Sequence, residues 1–427
     1  MSCLLNLLYL LFLILASPIL LYRIVFLGKY REGFREKWLG SAPILPPSNG
    51  KRIWFHAVSV GEMNLLKPIL REIDKTHPDW ECVISATSKT GMELGKKIFS
   101  NHTVFYCPLD FSWSVRRAIK RIKPDLLVLV ELELWPNLIL TAHKKGIKTA
   151  IVNGRISDRS FRRYRKIRFF TRLLLKKVDC VAVQDSFAAN YFQALGANRA
   201  VQTGSIKFDG VQTDRTNPGT TSLARLAGLD PSEIVFLAGS TQDPEEAYAI
   251  SCFRSLRDRF KNLRLILVPR HTERFESVAA LLRDSGLPWA RRSEFETKGT
   301  PPKDAILLID TIGELGGWWG TAKIAFVGGS MGSRGGQNML EPAAYGAAVS
   351  FGPNTKNFRD ISSLLLQEKG AIVVHDEKEM CSFVEKCITD KEYATLLGKN
   401  AQLLVLRNAG ATKLTISLLQ ETLSPSV

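Results

Sequence analysis

Short apolar runs alternate with helical stretches along this chain, and the whole alternation runs through twice. The first set is Ile53–Ser59, Cys82–Ala86, Leu126–Val130, Thr149–Val152, Cys180–Val183 and Ala200–Thr203. Between these runs lie segments with helical spacing, such as Leu65, Leu66, Ile69, Leu70 and Ile73. The second set is Ile234–Ala238, Leu263–Val268, Ala305–Ile309, Ile324–Val327, Ala347–Phe351 and Ala371–Val374. Strand–helix alternation of this kind folds into a parallel sheet covered by helices on both faces. The polar stretch Asp209–Ser232, with Asn217-Pro218-Gly219-Thr220-Thr221, reads as a connection between the two sets. The expected fold is therefore α/β, with two Rossmann-like doubly wound domains facing a cleft. The boundaries read as an N-terminal segment 1–28, a first domain 29–210, a linker 211–232 and a second domain 233–427. A chain of 427 residues suits two such domains plus an appendage.

The appendage is apolar. Residues 1–22 carry no charged side chain and include Leu4, Leu5, Leu7, Leu8, Leu10, Leu11, Phe12, Leu13, Ile14 and Leu15. About 20 such residues span a bilayer as a helix. No basic n-region precedes the run, so it predicts an anchor rather than a cleaved signal. Arg23, Lys29, Arg31, Arg35 and Lys37 follow it, which puts the body of the chain on the cytoplasmic side. Pro18 leaves two forms open, a single pass or a monotopic anchor.

The formal charge of +17 calls for an anionic partner without saying anything about fold. Much of it sits in one segment from Arg159 to Lys177, with Arg162, Arg163, Arg165, Lys166, Arg168, Arg172 and Lys176 between and no acidic residue. Phe161, Tyr164, Phe169 and Phe170 are interleaved. Read as a helix, this is a cationic amphipathic surface for anionic headgroups. The apolar N-terminus favours lipid over nucleic acid as its partner. The seven cysteines form no CxxC pair and lie scattered, several in apolar runs, as buried reduced thiols do.

In doubly wound sheets ligands bind beyond the carboxyl ends of the strands. Glu62 follows the first strand and starts a helix. It fits either a general base toward a sugar hydroxyl or an acidic first-turn residue that favours the helix dipole. Glu131 and Glu133 follow the apolar run Leu126–Val130. Alternation would place both on one side of an extended segment, for catalysis or for an ion pair with a nearby Arg or Lys. In the second half, Gly328-Gly-Ser-Met-Gly-Ser-Arg-Gly-Gly-Gln-Asn-Met-Leu-Glu341 is a glycine-rich loop leading into a helix that Asn338 can cap. Amides of such a loop bind phosphate, and Glu341 can accept from ribose hydroxyls. Arg270 after Pro269 offers a fork-shaped anion clamp. No aspartate-rich metal motif appears. Neutralising a leaving phosphate then falls to Arg, Lys and amide dipoles, with no metal or cofactor expected. Trp318-Trp319 reads as packing before it reads as a sugar platform.

Taken together and in order, several segments resemble the 3-deoxy-D-manno-octulosonate (Kdo) transferase family of bacterial lipopolysaccharide synthesis. They are His56-Ala-Val-Ser-Val-Gly-Glu62, Glu131-Leu-Glu-Leu-Trp-Pro-Asn137, Gly204-Ser-Ile-Lys-Phe-Asp209, Val268-Pro-Arg-His271, Gly313-Glu-Leu315, Ala325-Phe-Val-Gly-Gly-Ser330 and Arg334-Gly-Gly-Gln-Asn-Met-Leu-Glu341. The resemblance covers nearly the whole chain. It implies GT-B architecture, CMP-Kdo as donor, a lipid A precursor (lipid IVA) as acceptor, inversion at the anomeric carbon, and a place at the bacterial inner membrane. It implies Glu62 as proton acceptor, with Glu131 and Lys207 stabilising the transition state. Pro269-Arg270, Ile312-Gly313-Glu314 and Asn338-Met339-Leu340-Glu341 match segments that hold CMP. Two positions depart from the family's usual pattern: Ile312, where methionine is common, and Gln337, where histidine is frequent.

Overall fold

The computed structural model describes residues 2–26 and 32–424. Two compact units emerge. One comprises residues up to Gly210 plus the segment from Asn408 onward, and the other runs Val211–Arg407.

The first unit is built on a seven-stranded sheet. In chain order its strands are β1 Arg52–Ala57, β2 Glu81–Ala86, β3 Thr103–Tyr106, β4 Leu126–Val130, β5 Lys148–Gly154, β6 Cys180–Val183 and β7 Ala200–Gln202. Their spatial order is β3-β2-β1-β4-β5-β6-β7, parallel at every pairing. Every residue of β1 and β4 is buried. Helices cover both faces, which is why β4 reads as unbroken Leu and Val. One face packs on Met63, Leu66, Ile69 and Ile73 of helix Val60–Thr76, the other on Val115, Ile119 and Ile139. Ala411, Ile416 and Leu419 of the last helix, Ala411–Leu423, complete the first of these cores. Residues 408–424 thus fold with the first unit and not with the second domain, where the expected boundaries place them. The Asp209 carboxylate fixes the crossing by accepting the N–H groups of Gly410 and Thr412 at that helix's start.

The second unit repeats the plan. Its strands are β8 Ile234–Thr241, β9 Leu263–Pro269, β10 Trp289–Arg291, β11 Ile306–Leu308, β12 Ile324–Val327, β13 Ala348–Phe351 and β14 Ala371–Val373. The order is β10-β11-β9-β8-β12-β13-β14, again all parallel. The stretch read as a linker is folded onto this unit. Asn217 caps helix Pro218–Leu226 by accepting from Thr220 N–H, and Arg215 donates to the carbonyls of Tyr345 and Gly320.

The N-terminal segment is helical over Ser2–Val25 with Pro18 inside. Among the described residues, however, no helix is long and apolar enough to cross a membrane, so the expected spanning helix finds no support. The first turns of this segment are instead docked on the first unit. Leu5 is buried against Leu140 and Leu174. Asn6 exchanges hydrogen bonds with Ser112 at 2.8 and 3.0 Å, and the Tyr9 hydroxyl donates to Asp110 at 2.9 Å. Beyond them Phe12 and Leu15 are 68% and 72% exposed. Lys29, Arg31 and the expected boundary at 28 lie outside the described residues. The basic segment is two helices, Asp158–Lys166 and Arg168–Leu175, broken at Ile167. The cysteines whose side chains are described are all free, and all but Cys381 are buried.

Candidate active site

In the first sheet the strand order reverses between β1 and β4. Chain connections leave in opposite directions there and open a crevice past the carboxyl ends. Glu62 follows β1 and Glu131 follows β4, so the two flank this reversal. Glu62 sits in the first turn of its helix, after Ser59 as N-cap. One carboxylate oxygen accepts Val58 N–H at 2.7 Å, and the other accepts the Ser59 hydroxyl at 3.0 Å. Burial pushes its pKa up to about 7 against the pull of these two donors, and the charges of Glu133 and Glu131 add to the rise. Glu62 is thus an acidic first-turn residue whose carboxylate ties the loop at Val58 to the start of the helix.

The expected alternation at 131–133 does not hold. Glu131 adopts a left-handed φ of 58°, and the chain leaves the sheet there. The Glu131 carboxylate lies 3.4 Å from Arg155 Nε, the ion pair that one reading expected. Glu133 accepts the Trp135 indole N–H at 3.0 Å, and burial raises its pKa as well. The Trp135 ring meets the edge of His56, 5.4 Å between centroids. His56 is fully buried on β1, with Nδ1 3.0 Å from the Ser85 hydroxyl, and burial pulls its pKa down to about 4. A neutral His56 therefore links β1 to the loop of Glu133. Neither Ser85 nor Trp135 carries a separate sequence signal for this support.

Lys207 lies on the short turn Ile206–Phe208 after β7. Asn153, itself at φ 54°, accepts Ile206 N–H at 3.1 Å and ties this turn to the end of β5, two residues from Arg155. Glu131, Arg155, Asn153 and the Lys207 turn thus form a connected series at the strand ends.

In the second sheet the reversal falls between β8 and β12. Pro269 ends β9, and the exposed Arg270 donates its N–H to Thr241 C=O at 3.1 Å. Ile312 is 78% exposed beside Gly313 at φ 93°. The Glu314 carboxylate points inward. Arg292 grips it through two bonds of 2.9 and 2.8 Å, and Thr311 and Trp318 also donate to it. The N-cap of helix Leu340–Ala344 is Met339, without a side-chain bond, and not Asn338 as expected; Asn338, one residue earlier, accepts Leu340 N–H at 3.2 Å and donates to Glu341 at 3.0 Å. Met339 and Leu340 are buried. Trp318 and Trp319 are buried too, as packing residues.

The glycine-rich loop was to offer its amides to phosphate, but the N–H groups of Gly329, Ser330 and Met331 are taken by the buried carboxylate of Glu245, at 2.8, 2.9 and 2.9 Å. Glu245 lies far back in sequence and carried no motif signal.

Comparison with known proteins extends this picture. A family model described as 3-deoxy-D-manno-octulosonic-acid transferase (kdotransferase) matches residues 31–210. A 3-deoxy-D-manno-octulosonic acid transferase from Haemophilus influenzae is 32% identical over 425 residues, 97% of this chain and 98% of the relative. The transferase of the same description from Bordetella pertussis is 31% identical, over 90% of this chain and 89% of its own. In fold alone, the chain is similar to a UDP-GlcNAc 2-epimerase from Neisseria meningitidis, with a TM-score of 0.56 at 11% identity, covering 87% of this chain and 100% of the other. With near-complete coverage of both chains at this identity, the chain belongs to the family of 3-deoxy-D-manno-octulosonic acid transferases, which are glycosyltransferases.

Proposed function

We propose that this protein transfers Kdo from CMP-Kdo to a hydroxyl of a lipid A precursor, with inversion at the anomeric carbon. One observation carries the reading: a half-buried carboxylate, Glu62, held at the mouth of β1 with its pKa pushed to about 7. A base tuned near the working pH combines a useful deprotonated fraction with useful basicity. Glu62 takes the proton of the acceptor hydroxyl. The acceptor oxygen forms the new bond to the anomeric carbon as the bond to the phosphate oxygen breaks, and CMP leaves as the anion. Glu131 and Lys207 stabilise the transition state, in which positive charge grows on the sugar and negative charge on the phosphate.

In the second unit, Pro269-Arg270, Ile312-Gly313-Glu314 and Asn338-Met339-Leu340-Glu341 hold CMP. The inward carboxylate of Glu314 supports a main-chain role for its segment, and a main-chain role tolerates Ile at 312. Arg270 and Lys207 supply the cations for the Kdo carboxylate and the departing phosphate. The chain works at the cytoplasmic face of the bacterial inner membrane as a monotopic protein. The exposed apolar side chains of its N-terminal helix and the basic helices between Arg159 and Lys177 both support that reading.

The test is mass spectrometry of the lipid product after incubation with CMP-Kdo and tetra-acylated lipid A precursor. Wild-type protein adds one or more Kdo masses. Glu62→Ala loses on the order of a hundredfold or more in rate while still binding CMP. Near-normal turnover in that variant overturns the assignment of Glu62.

A further inference from the structure

Two adjacent carboxylates, both fully buried, open helix Glu245–Leu256 just past β8. Each reaches the loop that follows a different neighbouring strand. Glu245 turns toward β12. Besides the three amides of Gly329, Ser330 and Met331, it accepts Gln242 N–H at 2.8 Å, so both its oxygens are saturated by main-chain donors. The fit leaves no room beneath it, for a Cβ at Gly328 would lie 2.6 Å from Glu245 Oε2. Glu246 turns the other way, toward β9, and takes the guanidinium of Arg274 through bonds of 3.2 and 2.9 Å. Arg274 closes the turn that follows Arg270 by donating its N–H to His271 C=O at 3.1 Å.

A buried carboxylate is costly unless its lone pairs are met. Here each is met by a loop rather than by the sheet, and each loop runs directly into residues assigned above to the donor. The Gly329 loop continues to Gly336, whose N–H returns to Gly329 C=O at 2.7 Å, and then to Asn338–Glu341. The Arg274 turn carries Arg270 and His271. Because β8 lies between β9 and β12, one helix start can set both loops at once.

We propose that Glu245 and Glu246 are positioning residues for the donor nucleotide: back to back, they fix the separation of the Arg270 turn and the loop leading to Asn338–Glu341. The proposal rests on the assignment of those two segments to CMP. Neither carboxylate needs to touch the nucleotide. Glu245 fills with its own charge the amide cradle that a phosphate would otherwise enter, so the phosphate must bind elsewhere on the same loops.

The test uses full-length protein, CMP as probe, and the variants Glu246→Gln, Arg274→Gln, their combination, and Arg274→Lys. Each single Gln variant is expected to weaken CMP binding by about fivefold or more, and the double variant by little beyond the worse single, since both cut one contact. KM for the donor rises in step while kcat at saturating donor stays within about threefold. Arg274→Lys, which keeps the charge, recovers part of the loss. Glu245→Gln speeds hydrogen exchange at Gly329, Ser330 and Met331. Unchanged CMP affinity in both Glu246→Gln and Arg274→Gln, with only a lowered melting temperature, overturns the proposal and leaves a purely structural pair. If wild-type protein binds UDP and not CMP, the donor reading is wrong, and the same series titrated with UDP decides the brace. Binding of neither nucleotide by the wild type overturns both.

Discussion

The carboxylate of Glu62 closes back on the main-chain N–H of Val58, 2.7 Å from Oε2, and so ties the end of β1 to the helix that carries this residue. Burial and the charges of Glu133 and Glu131 nevertheless raise its pKa to about 7. A base must be deprotonated to act, so kcat/KM for transfer should rise with pH to a plateau, with an apparent pKa near 7 that disappears in Glu62→Gln. The same shift bears on stability. A carboxyl whose folded pKa exceeds its unfolded value binds more protons when folded between about pH 4.5 and 7, so its contribution to stability falls as pH rises through that window. Melting temperatures of Glu62→Gln relative to wild type should therefore be more favourable at pH 8.5 than at pH 5. A pH-independent difference counts against the raised pKa.

Glu131 combines a strained backbone with a proposed role in transfer. Its left-handed φ of 58° costs about 1–2 kcal/mol for a residue with a side chain, and such strain tends to persist where a side chain must be aimed. Glu131→Gly relieves it while losing the half-exposed pair with Arg155, a contact worth about 1 kcal/mol or less. Urea unfolding should thus place this variant within about 1 kcal/mol of wild type, whereas turnover with CMP-Kdo should fall by about a hundredfold. An active Glu131→Gly protein would mean that the side chain has no part in the reaction.

Glycine at 239, buried in the last part of β8, is set by Trp319. A Cβ there would stand 2.5 Å from the Trp319 ring, itself 1% exposed and unable to retreat. Glu62 and the first unit are untouched by this contact. Gly239→Ala should therefore destabilise the second unit by about 1–3 kcal/mol, the usual cost of overpacking. Denaturant unfolding followed by tryptophan fluorescence checks this, and an unchanged midpoint would show that the ring has freedom the packing denies.

The two sheets were legible in the sequence because their central strands are buried on both faces and read as continuous apolar runs. The two strands that escaped notice, β3 and β10, are edge strands. In β10 Trp289, Ala290 and Arg291 are all only partly buried, so no apolar run marks them. At the site, sequence order located the carboxylates correctly at the mouths of β1 and β4. It misjudged the geometry at Glu131, because a positive φ at a residue other than glycine leaves no compositional trace. The glycine-rich loop misled for a related reason. Its spacing announces a cradle of amides but not its occupant, and Glu245 arrives from 84 residues away in sequence.

Membrane attachment should have two separable parts. The N-terminal helix spends Leu5, Asn6 and Tyr9 on the first unit and leaves Phe12, Ile14 and Leu15 exposed. Apolar side chains inserted below the headgroups contribute burial that salt does not screen. The helices Asp158–Lys166 and Arg168–Leu175 contribute charge, about 1 kcal/mol per basic residue near an anionic surface and falling off within a Debye length. Neutralising Arg162, Arg163 and Arg165 together should therefore weaken binding to anionic liposomes at low salt and leave binding at high salt nearly unchanged. Replacing Phe12 and Leu15 by Asn should weaken binding at both. Sedimentation with liposomes at two salt concentrations separates the two parts. If the arginine variant binds like wild type at low salt, the basic helices do not face the membrane, and the apolar helix alone must account for attachment.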